Sequence, residues 1–228
     1  MPEKTAKNHD VTEKSTINHR TIVGQNRRTK TRTRIIEGAL QVFAEKGPDA
    51  PVIDDFIQAS GIARGTFYNY FDNTAELLSA TSDWLADDVA NAIEAEVSRI
   101  KNPVVRHGVA IRLFMKKAQS EPTWCRFIAT IWFQKGFAID GPMRDIQLGI
   151  DSGDLSCPSA ECGWDLTFGT LRQVMIRLLK QPELIKTDYV DQIIDTILIG
   201  LGVTSTLRKE IFSYEWPKLR PTKTLARI

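Results

Sequence analysis

The run Gly61-Ile62-Ala63-Arg64-Gly65-Thr66-Phe67-Tyr68-Asn69-Tyr70-Phe71 holds the residues whose types and spacing best suit a definite chemistry, the non-covalent recognition of a polyanion. Arg64 and Thr66 place donors at the start of a short helix, where unpaired backbone amides already favour anions. Gly65 between them has no side chain, so the backbone there can come close to a phosphate or a base edge. Tyr68, Asn69 and Tyr70 supply a polar and aromatic surface suited to phosphates, adenine edges and thymine methyls in a major groove. Phe67 and Phe71 read as core.

The charge distribution points the same way. The chain has 228 residues and a formal net charge of +2, but residues 1–34 carry nine basic and three acidic side chains, so the excess sits at one end. Arg20, Arg27, Arg28, Lys30, Arg32 and Arg34 follow one another with no acidic residue between them. In their polar, Thr-rich setting they predict a disordered basic arm over residues 1–28, either a solvated leader or an arm that binds a polyanion, with Arg28, Lys30 and Arg32 beside the first ordered helix.

Other chemistries lack their residues. No nucleophile elbow, phosphate-cradling glycine loop or histidine-carboxylate constellation is visible, which argues against an enzyme. Cys125, Cys157 and Cys162 are too few for a disulfide framework and suit a reducing cytoplasm. Cys157 and Cys162 lack the close spacing of a zinc knuckle, and His107 has no evident partner, so neither metal nor cofactor is expected. No run approaches the ~20 apolar residues of a membrane span, and there is no signal-peptide core.

The elements that must position the motif are all helical. Ile35, Ile36, Ala39, Leu40, Val42 and Phe43 recur at helical spacing from about Thr31 to the stop at Gly47-Pro48. Pro51 suits the first turn of a second helix, with Asp54 and Asp55 near the positive end of its dipole and Ser60-Gly61 at its end. A third helix over about 63–70 completes a helix-turn-helix within residues 29–76. Asn73 with Glu76 forms a capping-box pattern for a long helix ended by Pro103. Further helices are predicted near 104–119, 122–136, 141–150, 158–180 and 187–212, punctuated by Pro122, Gly141-Pro142, Pro158 and Pro182. Composition, at 42% hydrophobic and 25% charged residues, fits a soluble all-α protein with a substantial core.

Taken together, the basic arm, the first helix with Ile36, Ala39, Phe43 and Gly47, the run from Gly61 to Phe71, and Glu76-Leu77-Leu78 closely resemble the DNA-binding region of the tetracycline-repressor (TetR) family of bacterial regulators. The resemblance implies that Arg64, Thr66, Tyr68 and Asn69 contact bases or the sugar-phosphate backbone of duplex DNA and that Tyr70 anchors a phosphate. It also implies that residues 77–228 hold a ligand-binding and dimerisation domain, with a small-molecule inducer and a homodimer formed through the helices near 158–180 and 187–212. Three positions depart from the family pattern: Pro51-Val52 where a threonine is common, Ala63 where a serine is usual, and Thr74 in place of a frequent lysine. These departures support an alternative, a helical ligand- or protein-binding module without specific DNA recognition.

For the ligand pocket the sequence offers two aromatic clusters, Trp124, Phe127, Trp132, Phe133 and Phe137, and then Trp164, Phe168 and Met175. Arg126, Gln134, Lys135 and Gln173 are available to orient a polar group. Aromatic residues at helical spacing more often build core than pocket wall, and periodicity does not separate the two.

Overall fold

A computed structural model describes the backbone of residues 9–131 and 140–215, and side chains within residues 23–130 and 140–215. Among the described residues there are ten α-helices and no strand: α1 (His9–Lys46), α2 (Ile53–Ser60), α3 (Arg64–Tyr68), α4 (Thr74–Val97), α5 (Pro103–Ser120), α6 (Pro122–Ile131), α7 (Asp140–Asp151), α8 (Ala160–Lys180), α9 (Tyr189–Gly200) and α10 (Ser205–Ser213). One 3-10 turn, Pro182–Lys186, joins α8 to α9. None of these helices is long and apolar enough to cross a membrane.

The first correction concerns the arm. Composition predicts disorder through residue 28, but α1 begins at His9 and runs for 38 residues. Its second half is nucleated by burial of Ile35, Ile36, Ala39, Leu40 and Phe43, each no more than 1% exposed. Once that half is fixed, each residue added upstream gains a backbone hydrogen bond without a new nucleation cost, and the segment contains no proline. The side chains from Val23 to Lys30 are all exposed, so over these residues the helix extends by propagation more than by burial. Gly47, with φ of 81°, ends the helix where expected.

The second helix starts later than Pro51 implied. Val52 is the N-cap of α2, and its N–H donates to Asp55 Oδ2 at 3.0 Å. Asp55 also accepts from Lys46 Nζ at 2.7 Å, an arrangement that ties the end of α1 to the start of α2. These two bonds, with the lysine first, hold the Asp55 carboxyl below its ordinary pKa. Gly61, at φ of 59°, provides the left-handed residue of the turn into α3. At Gly38 a β-carbon would sit 3.0 Å from the backbone nitrogen of Ser60, so the absence of a side chain lets α1 and α2 pack closely.

The body is organised around α5. Asn102 caps it through bonds from the N–H groups of Val104 and Val105, and Pro103 occupies its first turn. Twelve of its residues, among them His107, Arg112 and Lys117, are buried, because α4, α6, α7, α8, α9 and α10 all contact it. The predicted helix over 187–212 is two helices. Gly202, at φ of 83°, breaks it, and a β-carbon there would also collide with Ser156. Thr204 then caps α10, which folds back onto α5 through Ile211 against Gly108 and through Arg112 Nη1, 2.6 Å from the Ile211 carbonyl oxygen. The expected helix over 122–136 is seen as α6 to Ile131, and its remainder lies outside the described residues.

Candidate functional site

At the N-terminal end, four aromatic rings fix the helix-turn-helix. Phe43 of α1 meets Phe56 of α2 at 4.9 Å between ring centroids, Phe56 stacks on Phe67 of α3 at 6.5 Å, and Phe67 meets Phe71 at 6.2 Å. All four are at most 1% exposed. With Phe67 as the inward anchor of α3, the other side of this five-residue helix faces out: Arg64, Gly65, Tyr68 and Asn69 are exposed, and Thr66 and Tyr70 are half-buried. Nothing lies within 4 Å of where a Gly65 β-carbon would stand. The run Arg64 to Asn69 is therefore an open helical surface bearing a guanidinium, a phenol and an amide.

The basic residues of α1 are divided. Arg28 lies over the ring of Tyr70 at 5.8 Å and Arg32 over that of Phe71 at 5.4 Å, so these two extend the α3 surface with positive charge. Lys30 is exposed, but at ~200° around the helix from each of them it points to another side. Arg64 reaches back to Asp54 of α2, 3.3 Å away, with both side chains well exposed.

Ala63 is the N-cap of α3 and makes no side-chain cap bond. Ala63→Ser is accordingly expected to raise stability by about 1 kcal/mol through a hydroxyl that accepts from an amide of the first turn, seen as a higher thermal midpoint. The start of α4 needs no such repair, since Asn73 Oδ1 accepts from Glu76 N–H at 2.8 Å and the Glu76 carboxylate accepts from Asp72 N–H.

The body encloses a cavity of about 300 Å³ between α4, α5, α7 and α8. Its walls are chiefly apolar: Val89, Ile93 and Val97 from α4, Ile111 and Phe114 from α5, and Leu171 from α8. Trp164 and Phe168 also line it, their rings parallel with centroids 5.0 Å apart. Of the other residues expected at a pocket, Trp124, Phe127 and Met175 are core instead, each at most 1% exposed and none lining the cavity. Phe127 meets Phe43 edge-on at 6.3 Å and so joins α6 to the helix-turn-helix. Trp124 packs edge-on against Phe114 at 5.2 Å. Trp132, Phe133, Gln134, Lys135 and Phe137 lie outside the described residues.

Two polar cavity residues were not expected there from sequence: His107, read only as a histidine with no evident metal partner, and Thr167. They are 3% and 1% exposed, and His107 Nε2 and Thr167 Oγ1 have no hydrogen-bond partner among the described residues. The available signal was thin: a lone histidine between Val105 and Val109, and a threonine on the same helical face as Gly163 and Leu171. Beneath them Arg106 grips Asp145 with two bonds, Nε to Oδ2 at 2.8 Å and Nη2 to Oδ1, while its Nη1 donates to the Ile100 carbonyl. This fork bolts α5 to α7 beside the cavity, which Asp145 lines.

Burial pushes the His107 imidazole down to about 4, against the opposing pull of the Asp145 carboxylate. An exposed imidazole titrates near 6.5, so below that pH the unfolded chain binds a proton that the folded chain refuses until about pH 4. Stability is therefore complete above pH ~6.5 and falls as the pH drops toward ~4, with a loss of roughly 2–3 kcal/mol at pH 4.5 from this group. Urea unfolding at pH 7 and pH 4.5 should show a smaller loss for His107→Leu by about that amount. Equal losses in the two proteins would mean that His107 is not held neutral.

The cysteines take no part in either site. All three are free thiols, and burial raises Cys125 to about 12 and also raises Cys157. Among the described residues no three His, Cys, Asp or Glu side chains are grouped to hold a metal.

A helix-turn-helix carried on an all-helical body that encloses an apolar cavity is the fold class of this chain. Residues 35–81, from the packed half of α1 into α4, match the family of bacterial regulatory proteins, tetR family. The HTH-type transcriptional regulator TtgR of Pseudomonas putida is 38% identical over 78 residues, which cover 31% of this chain and 37% of that protein. The match thus spans little more than a third of that curated relative's length. Among solved structures, RolR in complex with the ligand resorcinol aligns over 86% of this chain and 100% of its own, with a TM-score of 0.57 and 22% identity. A TetR family transcription regulator from Marinobacter aquaeolei VT8 aligns over 78% of this chain and 98% of its own, with a TM-score of 0.65 and 18% identity. These likenesses extend the shared fold beyond the N-terminal domain to the body.

Proposed function

We propose that this protein is a cytoplasmic, ligand-responsive transcriptional repressor that binds a palindromic duplex site as a homodimer. The observation that carries the reading is the open face of α3, with Arg64, Gly65, Tyr68 and Asn69 outward on a phenylalanine core and Arg28 and Arg32 alongside. A helix so mounted suits the major groove, with the arginines on flanking phosphates.

The partner surface we assign to α8 and α9, where Leu166 is 40% and Ile199 54% exposed. Gly200 has so little space above it that Leu166 Cδ2 would lie 3.2 Å from a β-carbon there, which leaves a smooth apolar face able to pair with its own copy. Two recognition helices must lie ~34–36 Å apart to serve both half-sites. The cavity is walled by α4, which begins directly after the helix-turn-helix. A molecule that fits only one placement of α4 would change that spacing and weaken DNA binding. The resorcinol complex of RolR, a structural neighbour, supports such occupancy in this fold.

The test is titration of purified protein against duplex fragments from around its own gene, at several salt concentrations and with non-specific competitor. One dimer per palindromic site is expected, with Arg64→Ala and Tyr68→Ala each costing about 1–3 kcal/mol of specific affinity. Binding that is indifferent to sequence and to both substitutions would sink the proposal.

A further inference from the structure

We infer that the cavity takes an uncharged, hydroxyl-bearing aromatic molecule, with the hydroxyl placed on His107 Nε2 and Thr167 Oγ1. This deepens the reading of the chain as a ligand-responsive regulator and rests on it for its biological meaning, though not for its chemistry. The cavity wall is apolar except at a few points, and in the buried part those points are unusual. A buried polar atom without a partner costs ~1–3 kcal/mol, so two of them in one cavity mark the place where something else supplies the bonds.

The kind of group follows from what the two atoms can do. Neutral imidazole with its proton on Nδ1 leaves Nε2 as an acceptor, and a threonine hydroxyl both donates and accepts. A ligand hydroxyl can donate to the first and accept from the second. A carboxylate cannot donate at all, and the buried end offers it no cation, because Arg106 is committed to Asp145 and to the Ile100 carbonyl. Arg144, which also lines the cavity, is exposed to solvent rather than buried beside His107 and Thr167. A ligand cation would face a histidine that is neutral at pH 7 and a carboxylate, Asp145, already neutralised by Arg106, while the other two carboxylates of the lining, Glu94 and Asp140, are exposed to solvent rather than buried beside His107 and Thr167.

The rest of the molecule is set by the walls. The parallel rings of Trp164 and Phe168, with Phe114 across from α5, suit a flat aromatic body. A volume of about 300 Å³ is at the small end of small-molecule pockets, which admits one or two fused rings rather than a long chain or a bulky conjugate.

Calorimetric titration of the full chain with 2-naphthol, naphthalene and 2-naphthoate tests this directly. The expected order is 2-naphthol tightest, about tenfold or more over naphthalene, with 2-naphthoate weakest. Thr167→Val and His107→Leu should each erase most of the advantage of 2-naphthol over naphthalene, and continued uptake of naphthalene shows that the walls are intact. Equal binding of 2-naphthol and naphthalene by the unaltered protein, tightest binding of 2-naphthoate, or no uptake of 2-naphthol overturns the inference whatever the variants do. DNA release is scored separately. Uptake of 2-naphthol without release keeps the ligand class and counts against the coupling, whereas DNA binding without uptake overturns the ligand class and leaves the regulator standing.

Discussion

Gly65→Leu is expected to lower specific DNA affinity by about 100-fold or more, while the thermal midpoint of the free protein stays level or rises. In the free protein there is empty space where the new side chain would go, so folding meets no clash. Glycine within a helix is also ~0.5–1 kcal/mol less favourable than a side-chain-bearing residue, so α3 gains rather than loses. In the complex the same isobutyl group would stand between the helix backbone and the groove floor. It would lift α3 off the base edges proposed for Arg64, Tyr68 and Asn69, and with them would go several contacts worth ~1–3 kcal/mol each. Fluorescence anisotropy with the operator and differential scanning calorimetry separate the two effects. A variant that binds normally would mean that α3 does not approach DNA by this face.

Asp145→Ala is expected to destabilise the body by about 3 kcal/mol, the low end of the ~3–5 kcal/mol found when one partner of a buried pair is removed. Asp145 is 8% and Arg106 17% exposed at the side chain, so the abandoned guanidinium keeps only slight access to water. The double change Arg106→Met with Asp145→Leu should recover most of the loss, since it leaves no unpaired charge and packs the same space with apolar atoms. Urea midpoints of the two single variants and the double variant decide the matter. A double variant no better than the singles would show that the fork supplies more than mutual neutralisation.

The helix-turn-helix was legible because its signals are local. Gly47 and Gly61 sit where the chain must enter a left-handed conformation, and Asn73 with Glu76 caps the next helix, all within reach of short-range patterning. The same patterning misjudged residues 9–28, because charge-rich composition speaks to solvation, while helix extension there depends on a nucleus built downstream at Ile35 and beyond. The break at Gly202 shows a different limit. The glycine was visible, but the crowding that leaves no room for a side chain there comes from Ser156, far back in the chain.

The cavity was the least legible part. Trp124 and Trp164 look alike in a periodic sequence, yet one is sealed beneath Phe114 and the other faces space. Which face of a helix meets a neighbour and which meets a void is settled by the placement of α7 against α5 and α8, and no spacing rule encodes it. His107 illustrates the same point from the polar side. The residue became informative only once it was seen to line a cavity.

The contact between Arg64 and Asp54 gives the proposed DNA-reading surface an internal competitor. For Arg64 to reach a base or a phosphate it must leave a carboxylate 3.3 Å away, so association is a trade of one anion for another rather than the filling of an idle hand. An exposed pair of this kind is worth at most ~1 kcal/mol, too little to hinder a well-matched guanine edge but enough to blunt the pull of a random phosphate. Asp54 also repels the backbone of any duplex that fails to draw Arg64 aside. The protein would then discriminate partly by what it withholds from the wrong sequence, and mobile ions that loosen the pair would soften that discrimination along with the grip itself.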